Sequence, residues 1–94
     1  MLHTVRHSPF SHQDLTQALF YMQEGDRLLL WQDAVIAAVV PAWQVRLQAL
    51  SDSGCLYVMR EDLQARGLNT ALGEPITMDE LVGLVAAWGS PQAW

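Results

Sequence analysis

Cys55 has the greatest potential for chemistry, because it is the only cysteine among the 94 residues. A lone cysteine excludes an intrachain disulfide and a Cys-x-x-Cys pair, which is typical of a reducing compartment such as the cytosol. As a thiolate it could carry sulfur, provided that it is exposed and lies near cations or a helix N-terminus. However, Cys55 opens the apolar run 55–59 and so lies at the amino end of a predicted strand. Open α/β sheets place their chemistry beyond the carboxyl ends of the strands, so we interpret Cys55 as a buried structural thiol and keep sulfur transfer as the alternative.

The three histidines, His3, His7 and His12, could in principle bind a metal or act as a general base. No cysteine or acidic residue recurs at a spacing that would complete a metal site, so we interpret them as hydrogen-bonding residues. Asp33 follows the second predicted strand, where an acid could serve a site at the carboxyl edge of the sheet. Aspartate is also favoured in turns and caps, which is the role we prefer. We therefore expect no catalytic residue, no metal and no cofactor.

A nucleotide site after the first strand would need a glycine-rich turn, and the segment HTVRHSPF contains no glycine. Arg6 could contact a phosphate, but a formal net charge of -5 with five Lys and Arg residues leaves no basic patch. We expect no direct nucleic-acid binding. The longest apolar stretch, 34–43, is far shorter than the ~20 residues needed to cross a bilayer, and no secretory signal is visible. The sequence favours a cytoplasmic protein without a membrane segment.

Segments typical of strands alternate with segments typical of helices. Strands are predicted at 2–5, 27–31, 55–59 and 76–77. Helices are predicted from Ser11 to Gly25, around 43–50, at 61–66 and after Thr77. Ser11 with Asp14, and Thr77 with Glu80, resemble capping boxes. The uniformly apolar segment 34–40 fits either a buried strand or the start of a helix, and 68–75 is predicted as a loop.

This alternation, with short connections, predicts a single α/β domain over residues 1–94. Right-handed crossovers would place helices on both faces of a small, mainly parallel sheet of about four to five strands, which gives three layers. No repeat, linker or low-complexity segment interrupts the pattern.

The composition is apolar for so small a domain, with 51% hydrophobic and only 16% charged residues. A core of this size cannot hide all of that surface, so part of it is expected to face a partner. The candidate interface residues are Phe10, Trp43 and Trp94. Trp43, like Trp88, lies on an apolar helix stripe and could equally pack in the core. Trp94 ends the polar tail SPQAW and is either frayed or docked, onto its own core or onto a partner.

Three segments resemble the TusB/DsrH family: the opening LHTVRHSP, the segment RLLLWQDAVIAA, and REDLQARGL together with the terminal QAW. They occur in matching order and spacing from Leu2 to Trp94. The chain departs from the family pattern at Ala34, where relatives often have glycine after the aspartate, and this bears on the backbone of that turn. Ala18 occupies the position of the first-helix cysteine of DsrH-type members, so the chain resembles the TusB branch.

The resemblance implies a DsrE/DsrF/DsrH-like fold and a subunit without a catalytic residue of its own. Such subunits assemble with two sister α/β subunits, TusC- and TusD-like, into a heterohexamer that passes persulfide sulfur between carriers. In the TusB branch the sulfur ends in the 2-thiolation of the wobble uridine of certain transfer RNAs. The sulfur-carrying cysteine lies chiefly in a sister subunit, and the alternative is that Cys55 is itself an active persulfide carrier.

Overall fold

The computed structural model describes residues 1–94, in which strands and helices alternate. The strands are β1 (Leu2–Val5), β2 (Arg27–Leu30), β3 (Leu56–Met59), β4 (Glu74–Ile76) and β5 (Gln92–Ala93). The helices are α1 (Asp14–Tyr21), α2 (Pro41–Asp52), α3 (Arg60–Ala65) and α4 (Met78–Trp88), with a 3-10 helix, Gln32–Ala38, between β2 and α2. No single helix is long and apolar enough to cross a membrane, and the 3-10 helix and α2 meet that criterion only when joined across a 91° bend.

The five strands form one parallel sheet in the order β4-β3-β2-β1-β5. Leu28, Leu29 and Leu30 of β2 are completely buried, as expected for a strand covered on both faces of a parallel sheet. The predicted α/β fold is confirmed. The strand pattern does not predict β5, because its two residues are exposed and lie in the polar tail.

Helices cover both faces of the sheet, because successive strand side chains point to opposite sides. The larger hydrophobic cluster joins one set of strand residues to α1, the 3-10 helix, α2 and α3, and its members include Val5, Leu15, Leu30, Leu47 and Leu63. The smaller cluster joins the other set to α4, and it consists of Leu2, Leu29, Tyr57, Met59, Ile76 and Leu81. The second face therefore has a single covering helix.

The two predicted capping boxes have different outcomes. Thr77 and Glu80 form one at the start of α4, where each side chain accepts a hydrogen bond from the backbone N–H of the other residue. The box at Ser11 and Asp14 is wrong, because α1 begins at Asp14 with Gln13 at its N-cap and no side-chain cap. The Ser11 hydroxyl instead donates to the Ser8 carbonyl within the preceding turn.

The segment 34–40 belongs largely to the 3-10 helix, so its helical interpretation is the correct one. The left-handed residue of this turn is Gln32, with φ 51°, and it lies before the aspartate. Ala34 is completely buried, and its N–H donates to the carbonyls of Arg6 and Trp31. Because Ala34 does not have a positive φ, its departure from the family pattern adds no backbone strain at that position.

The predicted loop at 68–75 is too long by two residues. Glu74 and Pro75 pair with Tyr57 and Val58 and begin β4, whereas the sequence pattern places the strand at 76–77. A proline is tolerated here because β4 is an edge strand and one side of its backbone needs no donor.

Candidate functional site

Cys55 lies at the amino edge of the sheet, one residue before β3, as its sequence position predicts. Its N–H donates to the Leu50 carbonyl, and its carbonyl accepts from the Leu28 N–H. The prediction of a buried thiol is wrong, because Cys55 follows an exposed turn and is itself only half-buried. Its thiol lies 3.7 Å from the carbonyl oxygen of Ser53, next to the C-terminal end of α2. Carbonyl groups at a helix C-terminus do not stabilise a thiolate.

The carboxyl edge of the sheet carries an ion-pair network around Asp33. Nη2 of Arg66 lies 2.6 Å from Oδ1 of Asp33, and Nη1 lies 3.6 Å from Oδ1 of Asp62. The other carboxylate oxygen of Asp62 accepts a hydrogen bond of 2.6 Å from the N–H of Gln32. These contacts join the turn after β2 to α3, which supports a turn role for Asp33.

His3 links β1 to the tail and to the loop before β2. It is 4% exposed, its Nε2 lies 2.9 Å from Oδ2 of Asp26, and its Nδ1 lies 3.1 Å from Nε1 of Trp94. Since an indole N–H can only donate, Nδ1 accepts, and the neutral ring carries its proton on Nε2 and donates it to Asp26. Both ring nitrogens are therefore used in hydrogen bonds that hold the fold together.

Asp26 collects the donors of this region. Its carboxylate accepts from the backbone N–H of Gln23 at 3.0 Å, from His3, and from the N-terminal ammonium of Met1 at 3.0 Å. These hydrogen bonds hold the pKa of Asp26 well below its usual value, and the one from Gln23 makes the largest contribution to the shift. The carboxylate anchors the N-terminus and the loop before β2 to the same point.

Asp26→Asn is expected to destabilise the free chain by about 1–2 kcal/mol, because charge-assisted hydrogen bonds are lost. A folded-state pKa below the unfolded value gives a contribution that is complete above about pH 4 and lost as the pH falls below it. Urea unfolding of both chains at pH 7 and pH 3 measures the effect, and the difference between them should shrink at pH 3. Asp52→Asn, at an exposed helix carboxylate, is the control. An equal difference at both pH values would contradict the role of the Asp26 charge.

The other two histidines order the loop before α1. Nδ1 of His7 lies 2.8 Å from Oδ2 of Asp14, and its ring stacks on that of His12 with 4.0 Å between centroids. Nδ1 of His12 lies 2.8 Å from the hydroxyl oxygen of Ser11. No group of three or more His, Cys, Asp or Glu residues is placed to hold a metal ion.

The tail docks onto its own chain. The backbone N–H of Trp94 donates to the Thr4 carbonyl at 3.0 Å. The indole ring stacks on the ring of Tyr21 in α1 with 5.5 Å between centroids. Together with the hydrogen bond to His3, these contacts show that the tail is not frayed but is docked onto its own chain. The indole nevertheless remains partly exposed, so a partner can also reach it.

The candidate interface residues Phe10, Trp43 and Trp94 make no ring contacts with one another. Phe10 is 72% exposed in the loop before α1. Trp43 is half-buried against the larger cluster, and the guanidinium of Arg46 lies 5.0 Å from its ring centroid. Each of the three therefore lies in a different environment.

Trp94 instead forms a surface with two residues that the sequence argument missed. Phe20 and Tyr21 are 82% and 63% exposed, and with Trp94 they line a cavity of about 550 Å³, which we call the α1–tail aromatic face. A signal was available in the sequence, since both lie off the apolar stripe of α1 and are nevertheless large aromatics. An exposed cluster of this kind is typical of a contact surface.

Comparison with known proteins shows which family the chain resembles. The family model described as "DsrH like protein" matches residues 7–89. Protein TusB of Pectobacterium parmentieri is 36% identical over 97 aligned positions, and Protein TusB of Escherichia coli O1:K1 / APEC is 38% identical over 98, with 100% of each chain covered in both cases. Protein TusB of Yersinia pestis (strain Pestoides F) is 38% identical over 78 positions, which cover 83% of this chain and 80% of the relative.

The chain belongs to the DsrH-like protein family. This membership confirms the resemblance to TusB/DsrH proteins. The match of the DsrH-like model at 7–89 does not include the tail, whereas the Pectobacterium and Escherichia relatives align with the whole chain. The family model therefore does not describe the tail, and its docking is known from the structure of this DsrH-like chain.

Proposed function

We propose that this chain is a non-catalytic structural subunit of a cytoplasmic sulfur-relay complex that acts in the 2-thiolation of the wobble uridine of transfer RNA. Its partners are two sister α/β subunits, TusC- and TusD-like, in a heterohexamer. The observation that carries the proposal is the full-length similarity to proteins named TusB, combined with a Cys55 thiol that lacks a supporting site.

The surface of the chain supports a role in assembly. Phe10, Phe20 and Val45 are each at least 72% exposed, which is costly for large apolar side chains in water. The α1–tail aromatic face is uncharged, since its cavity is lined by Thr16, Gln17 and the three aromatic residues. A protein partner would bury this surface, as interfaces between permanent subunits do.

The second candidate function is an active persulfide carrier that uses Cys55. The half-exposed thiol favours it, because a partner could reach the sulfur. Against it stand the amino-edge position and the carbonyls of Leu50 and Ser53, which accept hydrogen bonds in the same turn. No salt bridge or hydrogen bond brings a cationic side chain to Cys55.

Coexpression with the sister subunits, followed by purification on a tag carried by this chain and native mass measurement, tests the proposal. We expect one assembly that contains all three subunits in equal amounts. A chain that purifies alone, under conditions where its sisters assemble with each other, would overturn it.

Cys55→Ser is expected to leave sulfur transfer to transfer RNA close to wild type, because the proposal gives the thiol no part in the relay. The half-buried substitution should cost less than about 1 kcal/mol of stability. Thiouridine formation by the assembled complex is the measurement, and Ser in place of the sulfur-carrying cysteine of a sister subunit is the positive control for loss. An assembled Cys55→Ser complex without relay activity, or a persulfide mapped to Cys55 by mass spectrometry, would favour the carrier instead.

A further inference from the structure

The boundary between β1 and β5 is the topological switch point of the sheet. The connections from β1 to β4 run to one side of β1 with their helices on one face, and α4 then carries the chain across the other face to β5. In open α/β sheets, ligands bind in the crevice outside the carboxyl ends of the strands at such a point. A cavity of about 250 Å³ lies there, lined by Thr4, Arg6, Trp31, Ala93 and Trp94.

Two polar groups in this cavity have no partner in the protein. Thr4 is 4% exposed as a residue, and its hydroxyl, which makes no hydrogen bond in the protein, opens onto the cavity. Arg6 is one of four arginines without an ion pair, since only Arg66 pairs with carboxylates, and it is the arginine that lines this cavity. An unpaired guanidinium beside a free hydroxyl that opens onto the same cavity is complementary to an anion that also accepts hydrogen bonds.

The tryptophan side chains in the wall of the cavity favour a ligand with a flat ring. Trp31 is half-buried at the end of β2 and packs against the smaller cluster, so its indole is held in place. Bases stack on fixed indoles, and a guanidinium binds phosphate through two parallel hydrogen bonds. The volume of about 250 Å³ suits one ring system, with the charged group near the exposed Arg6.

We propose that this cavity, the switch-point pocket, binds one nucleoside monophosphate, with the base on Trp31, the phosphate on Arg6 and a hydrogen bond to the Thr4 hydroxyl. The cavity has room for one nucleotide, and because no glycine-rich turn follows β1, Arg6 takes the place of such a turn as the group that holds the phosphate. Free nucleotide and an unstacked nucleotide of an RNA offer the same chemistry. The proposal does not depend on the sulfur-relay function, because nucleotide binding is measured on this chain alone.

The test titrates the full chain with UMP and AMP, and separately with uridine and inorganic phosphate, while the indole N–H resonances are followed by NMR. The four tryptophans give separate signals. Those of Trp31 and Trp94 should shift with the nucleotides, and those of Trp43 and Trp88 should not. Uridine and phosphate alone should bind at least about tenfold more weakly than UMP, because each makes only part of the contacts.

Arg6→Ala should weaken UMP binding by at least about tenfold, as expected for the loss of a charge-assisted contact. Arg46→Ala is the matched control, because Arg46 also lies beside an indole, at 5.0 Å from the ring centroid of Trp43, but far along the chain on α2. It should leave UMP binding unchanged. Arg6 is exposed, so its variant should fold, and the unperturbed Trp43 and Trp88 signals would verify this.

Several results would overturn the proposal. They are equal binding by wild type and Arg6→Ala, shifts confined to Trp43 and Trp88, or no shift with either nucleotide. Loss of UMP binding and protection of Trp31 when the sister subunits are added would show that the pocket is a protein contact instead. A short single-stranded RNA ending in a 3′-phosphorylated uridine separates the two sources. Equal shifts with the RNA and with UMP place an RNA nucleotide in the pocket, and shifts with UMP alone place a free nucleotide there.

Discussion

Deletion of residues 92–94 should lower the melting temperature of the free chain by about 10 °C. The deletion removes the β1–β5 pairing, the stacking of Trp94 on Tyr21, and the hydrogen bond that Trp94 donates to buried His3. Loss of a half-buried indole and of a partner for a buried ring nitrogen exceeds the entropy regained by freeing the tail, which leaves a net cost of about 2 kcal/mol. In a domain of this size, 1 kcal/mol corresponds to roughly 4–8 °C.

A pair of conservative variants separates the hydrogen bond from the ring contacts. Trp94→Phe keeps a ring beside Tyr21 but leaves Nδ1 of His3 without a donor, so it should cost about 1 kcal/mol. Trp43→Phe is the control, because its indole N–H makes no hydrogen bond in the protein. Calorimetry or thermal circular dichroism on the free chains measures the melting of the deletion variant and of both substitution variants. Identical melting of full-length and truncated chains would show that the tail is not docked in solution.

The order of elements could be predicted because it is written in local patterns. The continuous apolar runs at β2 and β3 and the Thr77–Glu80 capping box each depend on residues close together in the chain. Strand β5 could not be predicted in this way. Gln92 and Ala93 are exposed and become a strand only by pairing with His3 and Thr4, about ninety positions earlier in the sequence.

In the candidate site, too, local patterns predict some features, whereas others depend on tertiary contacts. The amino-edge position of Cys55 follows from its place before an apolar run, but its exposure depends on how the turn after α2 packs, which no local pattern encodes. The partners of His3 come from Asp26 and Trp94, which lie on opposite sides of β1 along the sheet. A sequence pattern can mark a histidine as a hydrogen-bonding residue, but it cannot name partners that are brought together by the tertiary fold.

Gly73→Ala should destabilise the chain by about 3 kcal/mol. Gly73 has φ 79°, a conformation that costs a residue with a side chain about 1–2 kcal/mol. A Cβ atom at this position would also lie 2.6 Å from Cγ2 of Val58 and 3.2 Å from Cγ of Leu56, both in the core strand β3. Overpacking of that kind adds about 1–3 kcal/mol. The N–H of Gly73 donates to the Ser51 hydroxyl at 2.9 Å, so the backbone has little freedom to move away.

Gly67→Ala separates the two causes, because Gly67 has φ 63° but would place its Cβ with nothing within 4 Å. It should therefore cost only the backbone strain of about 1–2 kcal/mol. Denaturant unfolding of both variants measures the difference, which isolates the clash of Gly73→Ala with β3. If the two substitutions cost the same, the close approach of the β4 entry to Val58 and Leu56 is relieved by small shifts of those side chains. If Gly73→Ala costs more, the start of β4 is fixed in register by a contact that only glycine allows, and the sheet edge formed by β4 depends on that residue.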